Sequence, residues 1–233
     1  SFVSRGLGDV YKRQMHVSVQ KLIHIEELVK SKETDLNKLK TSKIIAISKT
    51  FSLDKIMPLI NHGHYDYGEN KVQEALDKWT KIKAEKPKLK LHLVGKLQTN
   101  KVKFAVKLFD FIHSVDSKKL AKKIYDEQLN QNRKVKLFIQ VNIGNEEQKS
   151  GILKNDLNDF YHYCKDLNLD VIGLMCIPPF NSDPNPFFQE LNDLNKNLNL
   201  EELSMGMSSD YLKAVENYST YLRIGSAIFG ERI

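Results

Sequence analysis

The chain has 233 residues, 41% of them hydrophobic, enough to bury a substantial core in one large α/β domain. No apolar run reaches about 18 residues and nothing near the start pairs a charged segment with an apolar one, which excludes a helical membrane span and a secretion signal and leads us to expect a cytoplasmic protein. Lys and Arg (36) outnumber Asp and Glu (29), giving a net charge of +7, yet the charge is dispersed; the densest block, 81–90 (KIKAEKPKLK), reads as a solvated helix end and a turn, so nucleic acid is not an expected partner.

Residues 1–14, SFVSRGLGDVYKRQ, are richer in Arg and Gly than the Lys-, Asn- and Ile-rich sequence after Met15 and show neither a helical nor a strand period. We read them as a non-native or disordered leader, with a single domain over 15–233. Leu22, Ile25, Leu28 and Val29 recur at helical spacing and predict an opening amphipathic helix over 17–39. Strand and helix then alternate with short loops. Strands are expected over 44–48, 65–68, 89–94, Phe111–Val115, 135–141, Val171–Met175, Glu202–Ser204 and Tyr221–Ile224. Helices are expected over 54–61, 71–84, 101–108, 117–130, 155–167, 186–197 and 209–217. Cys164 and Cys176 lack C-x-x-C spacing and lie in apolar stretches, so they read as buried thiols, and the seven histidines form no metal-ligand pattern.

Strict alternation with apolar strands demands a parallel sheet covered by helices, and eight repeats close a (β/α)8 TIM barrel, here with an additional N-terminal helix. A doubly wound open sheet is the alternative. No G-x-G-x-x-G fingerprint follows the first strand, where Ser48-Lys49-Thr50 stands instead, and that favours the barrel.

A barrel gathers function at the C-terminal ends of its strands, with phosphate held after strands seven and eight. Lys49 follows the apolar run Ile44-Ile45-Ala46-Ile47-Ser48; an amine held against a dry pocket loses its proton near neutrality and condenses with aldehydes, while the competing reading is a lysine snorkelling from a strand end. On the same rim stand Glu69-Asn70 and Gly95-Lys96. After strands seven and eight come Ser204-Met205-Gly206-Met207-Ser208 and Arg223-Ile224-Gly225-Ser226. Small residues and backbone N–H groups at two adjacent turns suit a phosphate, although either turn alone is better explained as ordinary helix capping. Arg223 is open to three readings: a phosphate contact, a hydrogen bond to a ring nitrogen, or a structural salt bridge with Glu69 or Glu231.

The segments AISKT, YGENKVQEALDK, LHLVGKLQTNK, IHSVDS, QVNIGNEEQKSGI, GLMCIPP, LSMGMSSD and LRIGSAIFGER, in this order, closely resemble the pyridoxal-phosphate homeostasis protein family, whose barrel is similar to the N-terminal domain of alanine racemases. The resemblance implies pyridoxal 5′-phosphate (PLP) held as an internal aldimine on Lys49. It further implies phosphate contacts from Ser208, Gly225 and Ser226, Arg223 facing the pyridine nitrogen, Asn70 near the ring and Met175 lining the cofactor cavity. Family members often carry a second lysine shortly after the first, where this chain has Phe51. Lys149 matches a further rim lysine and is a candidate secondary aldehyde acceptor, or else a solvated loop lysine.

Racemisation needs two acid–base groups on opposite faces of the substrate. In alanine racemases the second is a tyrosine brought by the C-terminal β-domain of the partner subunit, and this sequence ends at Ile233, just past the eighth-strand motif. The expectation is therefore a PLP carrier, storing and delivering the cofactor to PLP-dependent apoenzymes as a monomer without robust amino-acid turnover. The alternative is a racemase-like PLP enzyme.

Overall fold

The computed structural model describes residues 15–231; the leader expected over 1–14 lies outside the described residues. Eight strands close into a barrel in sequence order: β1 (Lys43–Ile47), β2 (Asp66–Glu69), β3 (Lys90–Leu93), β4 (Phe111–Val115), β5 (Lys136–Gln140), β6 (Val171–Met175), β7 (Glu202–Ser204) and β8 (Tyr221–Ile224). Every pairing is parallel, and β8 returns to β1 with Lys43 opposite Tyr221 and Ala46 opposite Ile224. The α/β expectation of a (β/α)8 barrel is met.

The helices are α1 (Val17–Asp35), α2 (Leu53–His62), α3 (Val72–Glu85), α4 (Val102–Leu108), α5 (Lys118–Asn130), α6 (Leu157–Asp166), α7 (Asn185–Asn197), α8 (Tyr211–Glu216) and α9 (Ser226–Phe229). The opening helix α1 buries Leu22, Ile25 and Val29 and lies against α2, α8 and α9, so it covers the seam where the last strand meets the first. Helix α2 stops at Gly63, whose φ of +99° supplies the left-handed cap that an L side chain resists.

Two apolar layers result from strand alternation. Between the strands and the helices lies the larger one, including Tyr67, Trp79, Phe109, Phe160 and Phe188. Inside the barrel Ile45, Ile47, Phe111, Phe138, Met175 and Tyr221 form the smaller one. Gly68 points into that inner layer, where a Cβ would come within 2.4 Å of the Ile47 side chain.

One loop departs from the expectation of short connections. Residues 141–153 leave the barrel and return, closed by a bridge between Val141 and Ile152 in which the Ile152 N–H donates to the Gln140 carbonyl at 2.8 Å. Because its ends pair with each other, the excursion leaves the alternation of strand and helix intact. The helix expected over 209–217 is shorter, since 208–210 form a turn instead.

Candidate functional site

Lys49 sits two residues beyond β1, in a turn whose following residue, Thr50, has φ of +68°. A β-branched residue in the left-handed region is strained, and here both neighbours of Lys49 are tied down. The Thr50 N–H donates to Glu74 Oε1 at 2.6 Å, and the Ser48 carbonyl accepts from Lys78 Nζ at 2.9 Å. Lys78 also reaches Glu69 Oε1 at 3.0 Å and Glu74 Oε1 at 2.9 Å. Burial pushes the Glu74 carboxyl up, but the Thr50 N–H and the Lys78 ammonium outweigh it and hold the group below the usual carboxylate range. Glu69, fully buried, accepts as well from the Ser48 hydroxyl at 2.7 Å and the Trp79 indole at 2.9 Å. The α3 helix thus clamps the lysine turn from outside the barrel.

Lys49, Asn70, Ser208, Arg223, Gly225 and Ser226 line one cavity of about 490 Å³, closed further by Ile47, Phe51, Val94, Gly95, Ile177 and Met207. Asn70 follows β2 directly, and its Oδ1 is buried without a hydrogen-bond partner among the described residues. Its backbone passes so close to the next strand end that a Cβ on Gly95 would meet the Asn70 carbonyl oxygen at 2.2 Å, so only glycine lets these two strand ends converge. At the opposite wall the Ser208 hydroxyl accepts from the backbone N–H groups of Gly225 and Ala227, both at 3.2 Å, drawing the β7 and β8 turns together. Gly206, with φ of +91°, makes that approach possible. Phe51 packs in a tilted arrangement against Phe229 with centroids 5.0 Å apart, an apolar edge where the expected second lysine is missing.

Arg223 is buried, 5% exposed, and donates from one guanidinium nitrogen to Ser204 Oγ at 2.7 Å and from the other to the Cys176 carbonyl at 2.8 Å. Burial lowers its pKa. Glu69 faces α3 on the other side of the sheet, so the salt-bridge reading of Arg223 with Glu69 is not what forms. Burial likewise pushes the neighbouring Cys176 thiol up to about 12, which makes it an inert filler.

Met175 belongs to the inner apolar layer, fully buried with Ile45, Phe138 and Tyr221, and is not one of the residues lining this cavity. Lys149 stands in an adjoining recess of about 320 Å³ with Lys96, Gln140 and Asn142, its ammonium 2.5 Å from Glu146 Oε2 and 3.3 Å from the Pro178 carbonyl. Missed from the sequence were the clamp of Glu69, Glu74 and Lys78, and the inward-facing pair His92 and His113. The signal for the histidines was present: each sits beside apolar residues within its strand, His92 between Leu91 and Leu93, and His113 directly after Phe111 and Ile112. No group of three or more His, Cys, Asp or Glu among the described residues can hold a metal ion.

Residues 9–233 match the family described as alanine racemase, N-terminal domain. The chain is 39% identical to the pyridoxal phosphate homeostasis protein of Aquifex aeolicus over 201 residues, 82% of this chain and 87% of that one. It is 37% identical to the human protein of the same name over 229 residues, 89% of this chain and 82% of that one. A solved structure of PipY from Synechococcus elongatus with PLP bound superposes with a TM-score of 0.76 at 32% identity, covering 87% of this chain and all of that one. With the barrel, the rim lysine and the paired β7 and β8 turns already in place, these similarities establish that the chain belongs to the pyridoxal phosphate homeostasis protein family.

Proposed function

We propose that the rim cavity binds pyridoxal 5′-phosphate covalently through Lys49 and that the protein takes part in intracellular PLP homeostasis, storing the cofactor and delivering it to PLP-dependent apoenzymes. The residues fit the group. When bound, the cofactor supplies an electrophilic aldehyde, a pyridine ring and a dianionic phosphate. Lys49 offers the amine, in a turn fixed on both sides. Ser208, Gly225 and Ser226 offer a hydroxyl and backbone donors where small side chains permit close approach. Asn70, with its unsatisfied buried oxygen, and Arg223 flank the space left for the ring. A guanidinium donates and cannot accept, so it holds a pyridine nitrogen unprotonated and makes the ring a poor electron sink.

The observation that carries the carrier reading is the composition of the cavity wall. Among the described lining residues the titratable side chains are Lys49 and Arg223, and only a lysine exchanges protons usefully. A second acid–base group for the opposite face of a substrate is not supplied by the described wall. The names of the relatives, homeostasis proteins and not racemases, point the same way. We place the protein in the cytoplasm as a monomer; no helix of the described residues is long and apolar enough to cross a membrane.

Purified protein mixed with PLP is expected to develop a visible absorbance band that borohydride bleaches, with the reduced label mapping to Lys49 by mass spectrometry. Lys49→Ala should stay colourless. Alanine added to the coloured protein should not be racemised at rates on the order of 1 s⁻¹. A label on another side chain sinks the site, and enzyme-like turnover sinks the carrier role in favour of a racemase-like enzyme.

A further inference from the structure

Below the cavity, five polar side chains from five strands touch in single file. Asp66 opens β2; His92 is on β3, His113 on β4, Ser204 on β7 and Arg223 on β8. Asp66 Oδ1 lies 2.9 Å from His92 Nε2, and His92 Nδ1 lies 3.0 Å from His113 Nε2. Across the barrel, His113 Nδ1 lies 2.8 Å from Ser204 Oγ, which receives Arg223 at 2.7 Å. Both rings are fully buried and stacked, His92 on Phe111 at 4.2 Å and His113 on Phe138 at 4.3 Å.

With neutral rings, the carboxylate end fixes the direction of every bond. Asp66 only accepts, so His92 carries its proton on Nε2 and accepts at Nδ1 from the Nε2–H of His113. His113 Nδ1 then accepts the Ser204 hydroxyl hydrogen, and the Ser204 oxygen accepts from Arg223, which only donates. One tautomer of each ring satisfies all four contacts; reversing any link faces two donors or two acceptors at an adjoining one. A positive group at the rim and a negative one at the opposite end polarise the neutral groups between them. Burial lowers the pKa of both histidines, which keeps the rings uncharged.

We infer that Asp66, His92, His113 and Ser204 form a one-way hydrogen-bond chain whose role is to position the Arg223 guanidinium in the cavity wall. Ser204 and the two histidines are positioning residues: none of them lines the cavity. Their effect on the cofactor rests on the PLP reading above, whereas the chain itself does not. Ser204→Ala removes the acceptor that orients Arg223, while Ser204→Thr keeps it. His113→Gln offers an oxygen to Ser204 and an N–H to His92, while His113→Leu cuts the chain.

Two measurements decide the matter. In cofactor-free protein labelled with ¹⁵N, long-range ¹H–¹⁵N spectra should show His92 and His113 as neutral Nε2–H tautomers at pH 7. An Nδ1–H tautomer or a charged ring at either position overturns the chain. In the PLP-loaded protein, Ser204→Ala and His113→Leu should weaken PLP binding by roughly tenfold, the equivalent of one hydrogen bond to a charged group, and shift the visible band. Ser204→Thr or His113→Gln should restore both, with thermal unfolding reporting that each variant is folded. Folded Ser204→Ala and His113→Leu proteins that bind PLP with wild-type affinity and colour overturn the positioning role. Wild-type protein that takes up no PLP sinks the functional reading instead, and the tautomer spectra still decide the chain.

Discussion

Thr50 shows how tightly the lysine turn is held. Its φ of +68° costs on the order of 1–3 kcal/mol for a non-glycine residue, and the contact from its N–H to Glu74 Oε1 is the nearest compensation. Glu74→Ala should therefore lower the unfolding free energy by about 1 kcal/mol, because the exposed N–H can turn to water once the carboxylate is gone. The larger effect should fall on Lys49. With Lys78 losing one of its two carboxylate partners and the turn released, borohydride-trapped labelling of Lys49 by PLP should slow, while urea denaturation reports the modest loss of stability. Equal labelling rates in the variant and the parent would show that the turn needs no such support.

At the scale of elements, glycines decide where strands converge. Gly95→Ala would push a methyl into the Asn70 carbonyl, a backbone atom that moves only if the β2 end moves with it. Overpacking of this kind costs about 1–3 kcal/mol, and here the displaced residue is Asn70, so PLP affinity should fall together with the melting temperature. Gly173, where a Cβ would lie 1.9 Å from the Glu202 carbonyl oxygen, is the matching contact between β6 and β7, remote from the lysine turn. Gly173→Ala should lower stability with less effect on affinity, and titrating both variants with PLP separates the two cases.

Strand positions such as β1, β4 and β6 were legible because they are short, mostly apolar runs bounded by polar or turn residues, and the regular strand–helix alternation located the more polar β2 and β7 between them. Phe111–Val115, Val171–Met175, Glu202–Ser204 and Tyr221–Ile224 stand where the sequence places them. Tyr65 does not join β2, being 47% exposed ahead of it. Six rim residues, from Lys49 to Ser226, meet in one cavity because barrel closure collects strand C-termini whatever their separation in sequence. Met175 shows the limit of that rule: alternation tells that a side chain points inward, and depth along the axis decides whether it meets the cavity or the packed layer. The link from His113 to Ser204 spans 91 residues and depends on the stagger of β4 against β7 across the interior, which no local pattern encodes.

For the whole molecule, the buried histidines make acid the weak side of its stability. Unfolded, each histidine takes up a proton below about pH 6.5; folded, His92 and His113 resist it, since burial holds them under that value. The unfolding constant should consequently rise as pH falls below about 6.5, by roughly tenfold per pH unit for each histidine, until the folded pKa is reached. Asp66 acts in a lower window: burial raises its pKa, but the His92 contact prevails and holds it under 3.8, so its contribution is present above that value and lost only as pH falls through the folded one. His113→Gln should flatten the upper slope by one proton, measured as urea midpoints between pH 7 and 5. An unchanged slope would mean that the ring is not held neutral.

The inner layer of Ile45, Phe138, Met175 and Tyr221, with the histidine rings packed among them, leaves the barrel stoppered beneath the rim. A vessel with a single mouth has no through-traffic. In the proposed carrier role, loading and unloading share one doorway, so an acceptor would compete for the rim with the next arriving ligand, and a flood of free ligand would slow delivery.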